Sequence, residues 1–133
     1  MRKIIYPIII NVLFFFLPIA LSSCGRSAEE IYSTVRLNAV SEEKPIAINI
    51  DPSLKGNFFR NLNSGEEYTY PVLVGGSCTM RVLKGVYIFA FDGTATMEDG
   101  STRKVRCYQH RSPNDSVNIL ADKEEINFDL MLL

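Results

Sequence analysis

The residues after position 30 predict an all-β fold: a single small antiparallel β-sandwich of seven or eight strands. Three observations carry this. Apolar and polar residues alternate at period 2 in one run after another, and no stretch repeats apolar residues at i, i+3, i+4, i+7 for long. Turn residues punctuate the runs at Asn63-Ser64-Gly65, Gly75-Gly76, Lys84-Gly85, Asp99-Gly100 and Pro113-Asn114-Asp115, the spacing of a sandwich or small barrel. At 133 residues the chain has room for one domain, assigned here to residues 31–133.

The strands follow in order. Val35, Leu37 and Ala39 alternate with Thr34, Arg36 and Asn38. Ile46, Ile48 and Ile50 alternate with Ala47 and Asn49, and Asp51-Pro52 ends that run. Tyr68, Tyr70, Val72 and Val74 are expected on one face of the next strand, with Pro71 marking an edge position because proline cannot donate to a ladder. Residues 79–83 and 86–97 read as two further strands, 117–120 as a short one, and Ile126, Phe128, Leu130 and Leu132 alternate to the C-terminus.

One hairpin can be read to its register. Residues 86–97 and 102–109 flank Glu98-Asp99-Gly100. A two-residue loop would pair Phe91 with Tyr108. A three-residue loop pairs Met97 with Ser101, Gly93 with Val105 and Phe91 with Cys107, and gathers Tyr87, Phe89, Phe91, Ala95, Met97, Val105 and Cys107 on one face. Burial of a coherent apolar face decides register. The three-residue loop is therefore expected, with Gly100 left-handed beside a bulge.

The first segment reads as an address. Arg2 and Lys3 precede a greasy run over residues 4–21, and Leu21-Ser22-Ser23-Cys24 closes it with small residues before a cysteine. Sixteen of the first 23 residues are apolar, against 46 of the other 110. Charged start, apolar middle and small-residue exit are the parts of a secretory signal. An uncleaved membrane helix is the alternative, weakened by Pro7, Asn11 and Pro18. Leu-Ser-Ser-Cys resembles the lipobox of bacterial lipoproteins. That resemblance implies cleavage of residues 1–23 and a diacylglycerol thioether on Cys24, usually with an amide-linked fatty acid such as palmitate. It also implies a membrane partner reached through the lipid. Gly25 in place of Asp points, by analogy with enterobacterial lipoproteins, to the outer membrane. Ser27-Ala28-Glu29-Glu30 is similar to the acidic signals that send some lipoproteins to the cell surface; a plain solvated tether explains it equally. With residues 24–30 as tether, six residues reach at most about 20 Å.

Once Cys24 carries lipid, Cys78 and Cys107 remain as an even pair. Export makes a disulfide between them the expectation. The alternatives, a redox pair or a metal site, are poorly served by the absence of a CxxC spacing and by a single His.

The run Leu83-Lys84-Gly85-Val86-Tyr87-Ile88-Phe89-Ala90-Phe91-Asp92-Gly93 resembles a stretch of transthyretin-like and prealbumin-like sandwich domains, where a Gly turn leads into a Tyr-bearing strand. Lys84 stands where the pattern usually has Pro. The resemblance implies an immunoglobulin- or transthyretin-like fold and carries no functional residue.

The exported part holds 12 Lys and Arg against all 15 acids, a charge of −3, which argues against nucleic acid as partner. Lys104, Arg106, Tyr108 and His110 are expected to point outward together from one strand, beside Arg103 and Arg111. That face could meet lipid phosphates, an anionic glycan or an acidic partner; charges that block edge pairing, balanced by Asp122, Glu124 and Glu125, explain it as well. Phe58 and Phe59 sit in a polar stretch as a possible hydrophobic contact, or as caps on the sandwich. Ser77, His110 and Asp115 could be assembled into a triad on paper, but no nucleophile motif frames the serine. No catalytic residue, metal or cofactor beyond the covalent lipid is expected.

The function these features imply is a non-enzymatic accessory or binding subunit of an envelope assembly, anchored in the outer membrane. The alternatives are a surface-exposed lipoprotein binding a glycan or host ligand, and a periplasmic inhibitor or immunity protein.

Overall fold

The computed structural model describes residues 28–133. The signal segment, the lipobox and Cys24 lie outside the described residues. The chain builds ten strands: β1 (Tyr32–Val40), β2 (Ala47–Asn49), β3 (Phe58–Asn61), β4 (Leu73–Val74), β5 (Ser77–Leu83), β6 (Gly85–Thr96), β7 (Thr102–His110), β8 (Val117–Ile119), β9 (Lys123–Asp129) and β10 (Met131–Leu132). Short 3-10 turns occupy Ala28–Ile31 and Pro113–Asp115. The first of these packs on β1, so the fold begins within the stretch read as tether.

All ten strands join one curled sheet, in the order β10-β7-β6-β2-β4-β5-β1-β9. The twelve-residue β6 is its axis. β2 and β3 lie end to end along one side of it, pairing with residues 94–96 and 87–90. β7 and β8 lie end to end along the other. The count exceeds eight because β3 forms in a stretch that reads as polar and the last expected strand divides at Leu130 into β9 and β10. The break between β2 and β3 throws residues 50–57 out as a loop over β6.

The edges of the sheet, β9 and β10, are consecutive in the chain with only Leu130 between them. Leu130 N–H still donates to Val40 O (2.9 Å), extending the β1 side, while Met131 already pairs with Arg106 on β7. The last strand therefore draws the two edges together at one corner. All pairings are antiparallel except β1–β9. That pair is parallel because β9 enters where β1 begins, with Thr34 N–H on Asp122 O at 2.8 Å.

The concave face holds one core: Val35 and Leu37 of β1, Ile48, Phe59, Leu73, Met80, Val82, Tyr87, Phe89, Phe91, Val105, Ile126 and Phe128 among others. Aromatic rings join its layers. Phe59 packs on Tyr87 and Phe89 with centroids 4.9 and 5.4 Å away, and Phe128 meets Phe89 and Phe91 edge-on. The β6–β7 hairpin has the expected register, with Gly93 opposite Val105, Phe91 opposite Cys107, Met97 N–H on Ser101 O, and Gly100 at φ 82°.

Three expectations shift phase. Ile46 is half-exposed, since it lies beyond the start of β2. Tyr68 and Tyr70 pack on the core, but after Pro71 the alternation slips by one residue: Leu73 is buried while Val72 and Val74 face out. Proline fixes φ and offers no N–H, so the segment breaks from the ladder and re-enters one residue out of step. The third shift is at His110, described next.

Candidate functional site

The outer face of β6 and β7 carries a groove lined by both charged and apolar residues. Its floor is the outward row of Asp92 and Thr94 on β6 with Lys104 and Arg106 on β7; its walls are Asn49 at the end of β2, Asp51, Pro52 and Leu54 of the thrown-out loop, and Leu133 at the chain end. Register builds this directly, since Asp92 lies opposite Arg106 and Thr94 opposite Lys104. Asn57 ties the loop down: its Oδ1 accepts Asp92 N–H (2.9 Å) and its Nδ2 donates to Asp51 O (2.9 Å). Within the loop, the hydroxyl and N–H of Ser53 both donate to Asp51 and hold its carboxyl below the usual value.

Gly93 makes the close approach of this loop possible. A Cβ there would lie 2.9 Å from Asn49 O and 3.3 Å from the side chains of Ile48 and Ile50. The bare backbone lets the chain leave β2 tight against β6.

Arg106 is locked. Nε donates to Asp92 Oδ1 (2.7 Å) and a terminal nitrogen to Oδ2 (3.0 Å), the two-point geometry a planar guanidinium suits. Arg106 holds the Asp92 carboxyl below its usual value, and Asp92 raises Arg106 in turn. The Tyr108 ring is flanked by guanidiniums, Arg106 at 4.5 Å and Arg111 at 4.8 Å. Arg103 pairs with Glu43 at 3.6 Å. Lys104 is exposed and, among the described residues, makes no salt bridge.

Lys104, Arg106 and Tyr108 do share the outward face, but His110 does not join them. β7 bulges between its pairings with Phe91 and Phe89, so two residues, Tyr108 and Gln109, face one on β6. The extra residue turns His110 toward Phe89, whose ring is 4.9 Å away, and His110 Nδ1 lies 2.8 Å from the main-chain oxygen of Asp115. The contact to Asp115 is thus not through its carboxylate, and Ser77 instead faces Arg36. The Ser77, His110 and Asp115 trio does not assemble along those contacts.

Phe59 is not an outward contact either: it is fully buried in the core. Adjacent strand residues face opposite ways, and Phe58 is the half-buried partner, covered by the Arg60 guanidinium at 4.9 Å. The expected balancing acids lie elsewhere. Asp122 pairs with Lys84, Glu125 accepts from Asn38, and Glu124 accepts from Ala121 N–H. The carboxylate that does balance β7 is Asp92, which the sequence offered only as one acid in an otherwise apolar strand.

Cys78 and Cys107 both face the core and are buried, with no bond drawn between them. Burial pushes Cys107 up to about 12 and Cys78 up to about 11. Between the layers, Tyr70 donates its hydroxyl to Phe58 O at 2.5 Å. Its own ionisation is pushed well up by burial, and further by the charge that Cys107 and Cys78 would carry. Among the described residues no three His, Cys, Asp or Glu side chains group as metal ligands, and no helix is long and apolar enough to cross a membrane.

Comparison with known protein families, curated proteins and solved structures finds no match to this chain.

Proposed function

We propose that this chain is a lipoprotein held in the bacterial outer membrane by acyl groups on Cys24, and that its domain is a non-enzymatic binding subunit for another envelope protein. We read the curled ten-stranded sheet as folding over its core into a small sandwich-like body. The partner docks in the groove between the 50–57 loop and the outer face of β6–β7. The observation that carries this is the pairing of a locked framework with one unpaired cation. Arg106 and Asp92 hold each other, Asn57 pins the loop, and Lys104 is left available beside the apolar Leu54 and Leu133. A pre-ordered site loses little conformational entropy on binding. Its chemistry suits an extended, apolar segment with a carboxylate for Lys104.

The test is a mild-detergent pull-down of the full lipid-bearing chain after cross-linking, run beside Lys104→Glu. The reading predicts one envelope protein recovered with the native chain and lost with the variant. Recovery of the same protein with Lys104→Glu, or a lone monomer in both, contradicts it.

A further inference from the structure

We propose that the end of the fold around the β5–β6 turn is a lipid-contacting face, laid on the membrane surface that holds the anchor. The inference rests on the anchored reading above and adds to it the orientation of the domain. Three large apolar side chains stand exposed at this end: Ile31 at 49%, Leu62 at 40% and Leu120 at 62%. They come from distant parts of the chain but surround one turn. Lys84 N–H donates to Ile31 O at 2.8 Å, and Leu62 N–H donates to Val86 O at 2.7 Å. Ile119 pairs with Gly85 at the end of the β6–β8 ladder, which sets Leu120 beside Lys84 one residue beyond it.

The chain itself indicates the occupant. Ile31 closes the 3-10 turn of Ala28–Ile31, and that turn is where the sequence arrives from Cys24. Three residues lie between Cys24 and the turn, so four backbone steps separate them, a reach of about 14 Å at most. A lipid on Cys24 therefore keeps this end, and no other, close to the acyl region. The cation at the centre of the patch is neutralised, since Lys84 Nζ sits 2.6 Å from the Asp122 carboxylate, and Glu30 beside Ile31 is an exposed acid. With Lys84 paired, apolar burial supplies more of the contact than attraction to anionic headgroups, so it should resist salt. Grouped apolar side chains on an otherwise polar end are the surface such burial needs.

The chain has no Trp, so single reporters can be placed cleanly. Full-length lipid-bearing protein carrying Leu62→Trp, Leu120→Trp or Val74→Trp is reconstituted into phosphatidylethanolamine–phosphatidylglycerol vesicles with brominated acyl chains. Val74 is the control, at the other end of β5 and about 20 Å away. Tryptophan at 62 and 120 is expected to be blue-shifted and quenched, unchanged by high salt, with 74 unaffected. In the unsubstituted chain, vesicles should slow hydrogen exchange at 84–86 and 120–122. Equal quenching at all three positions, quenching removed by salt, or protection at 84–86 that depends on protein concentration without vesicles (a second copy as occupant) overturns the proposal. The mass of the N-terminal peptide separates the two readings. An unmodified Cys24 removes the anchor, whereas an acylated Cys24 with unquenched 62 and 120 removes only the lipid-contacting face.

Discussion

Asp92 and Arg106 face each other across the β6–β7 ladder in a two-point ion pair, 2.7 and 3.0 Å long, on the outer surface of the sheet. Both partners are more than a third exposed, so solvent screens the pair and its contribution is small. Its dependence on pH has a fixed sign. Asp92 is held below the ordinary carboxylate value of about 3.9. The stabilisation is present above that value and is lost as pH falls through the lower folded value. Asp92→Asn should melt somewhat below the native chain near neutral pH, and the gap should narrow as pH falls below the ordinary carboxylate range. A gap that persists in acid would assign the effect to packing instead.

The two adjacent phenylalanines should differ sharply. Phe59 is fully buried against Tyr87 and Phe89, so Phe59→Ala should cost about 3–5 kcal/mol. Phe58 is half-buried under Arg60, and Phe58→Ala should cost about 1 kcal/mol or less. Urea denaturation of the two variants reads this directly, and equal losses would contradict the assignment of faces.

Gly93→Ala tests the approach of the loop to β6. The added methyl would meet a main-chain oxygen at 2.9 Å and two isoleucine side chains, and backbone cannot swing aside as a side chain can. A loss of about 1–3 kcal/mol is expected. Hydrogen exchange should rise at 49–57, because the groove wall moves with it. A neutral change in stability would show that β2 has room to shift.

The cysteines are predicted to join as a disulfide in the exported protein. Closing 29 residues is worth about 3.6 kcal/mol by chain entropy. Intact mass should rise by about 2 Da on reduction under denaturing conditions, and Cys107→Ser should lower the melting temperature. If the pair stays reduced, no mass change occurs. Burial then keeps both thiols protonated, and iodoacetamide reacts with them only after unfolding.

Much of the fold was legible because burial imposes period 2. The β6–β7 register followed from one question, which pairing gathers Phe89, Phe91, Val105 and Cys107 on one side. The misreadings fall where backbone events reset that period. Pro71 moves Val72 and Val74 outward, and the bulge at Tyr108 and Gln109 withdraws His110 from the basic row. A strictly alternating pattern contains no mark for either event. The groove was half legible. Lys104, Arg106 and Tyr108 could be placed on one face, but Asp92, Asn57 and the loop wall reach them only through long-range pairing. The cluster of Ile31, Leu62 and Leu120 depends on three ladders meeting at one turn, which no local spacing encodes.

The account turns on the placement of this domain at a membrane by its first mature residue. Mass spectrometry of the N-terminal peptide from natively produced protein tests that directly. The predicted spectrum shows a peptide beginning at Cys24 and carrying diacylglycerol with or without an added acyl chain. A peptide that begins upstream of Cys24, or a Cys24 with an unmodified thiol, contradicts it.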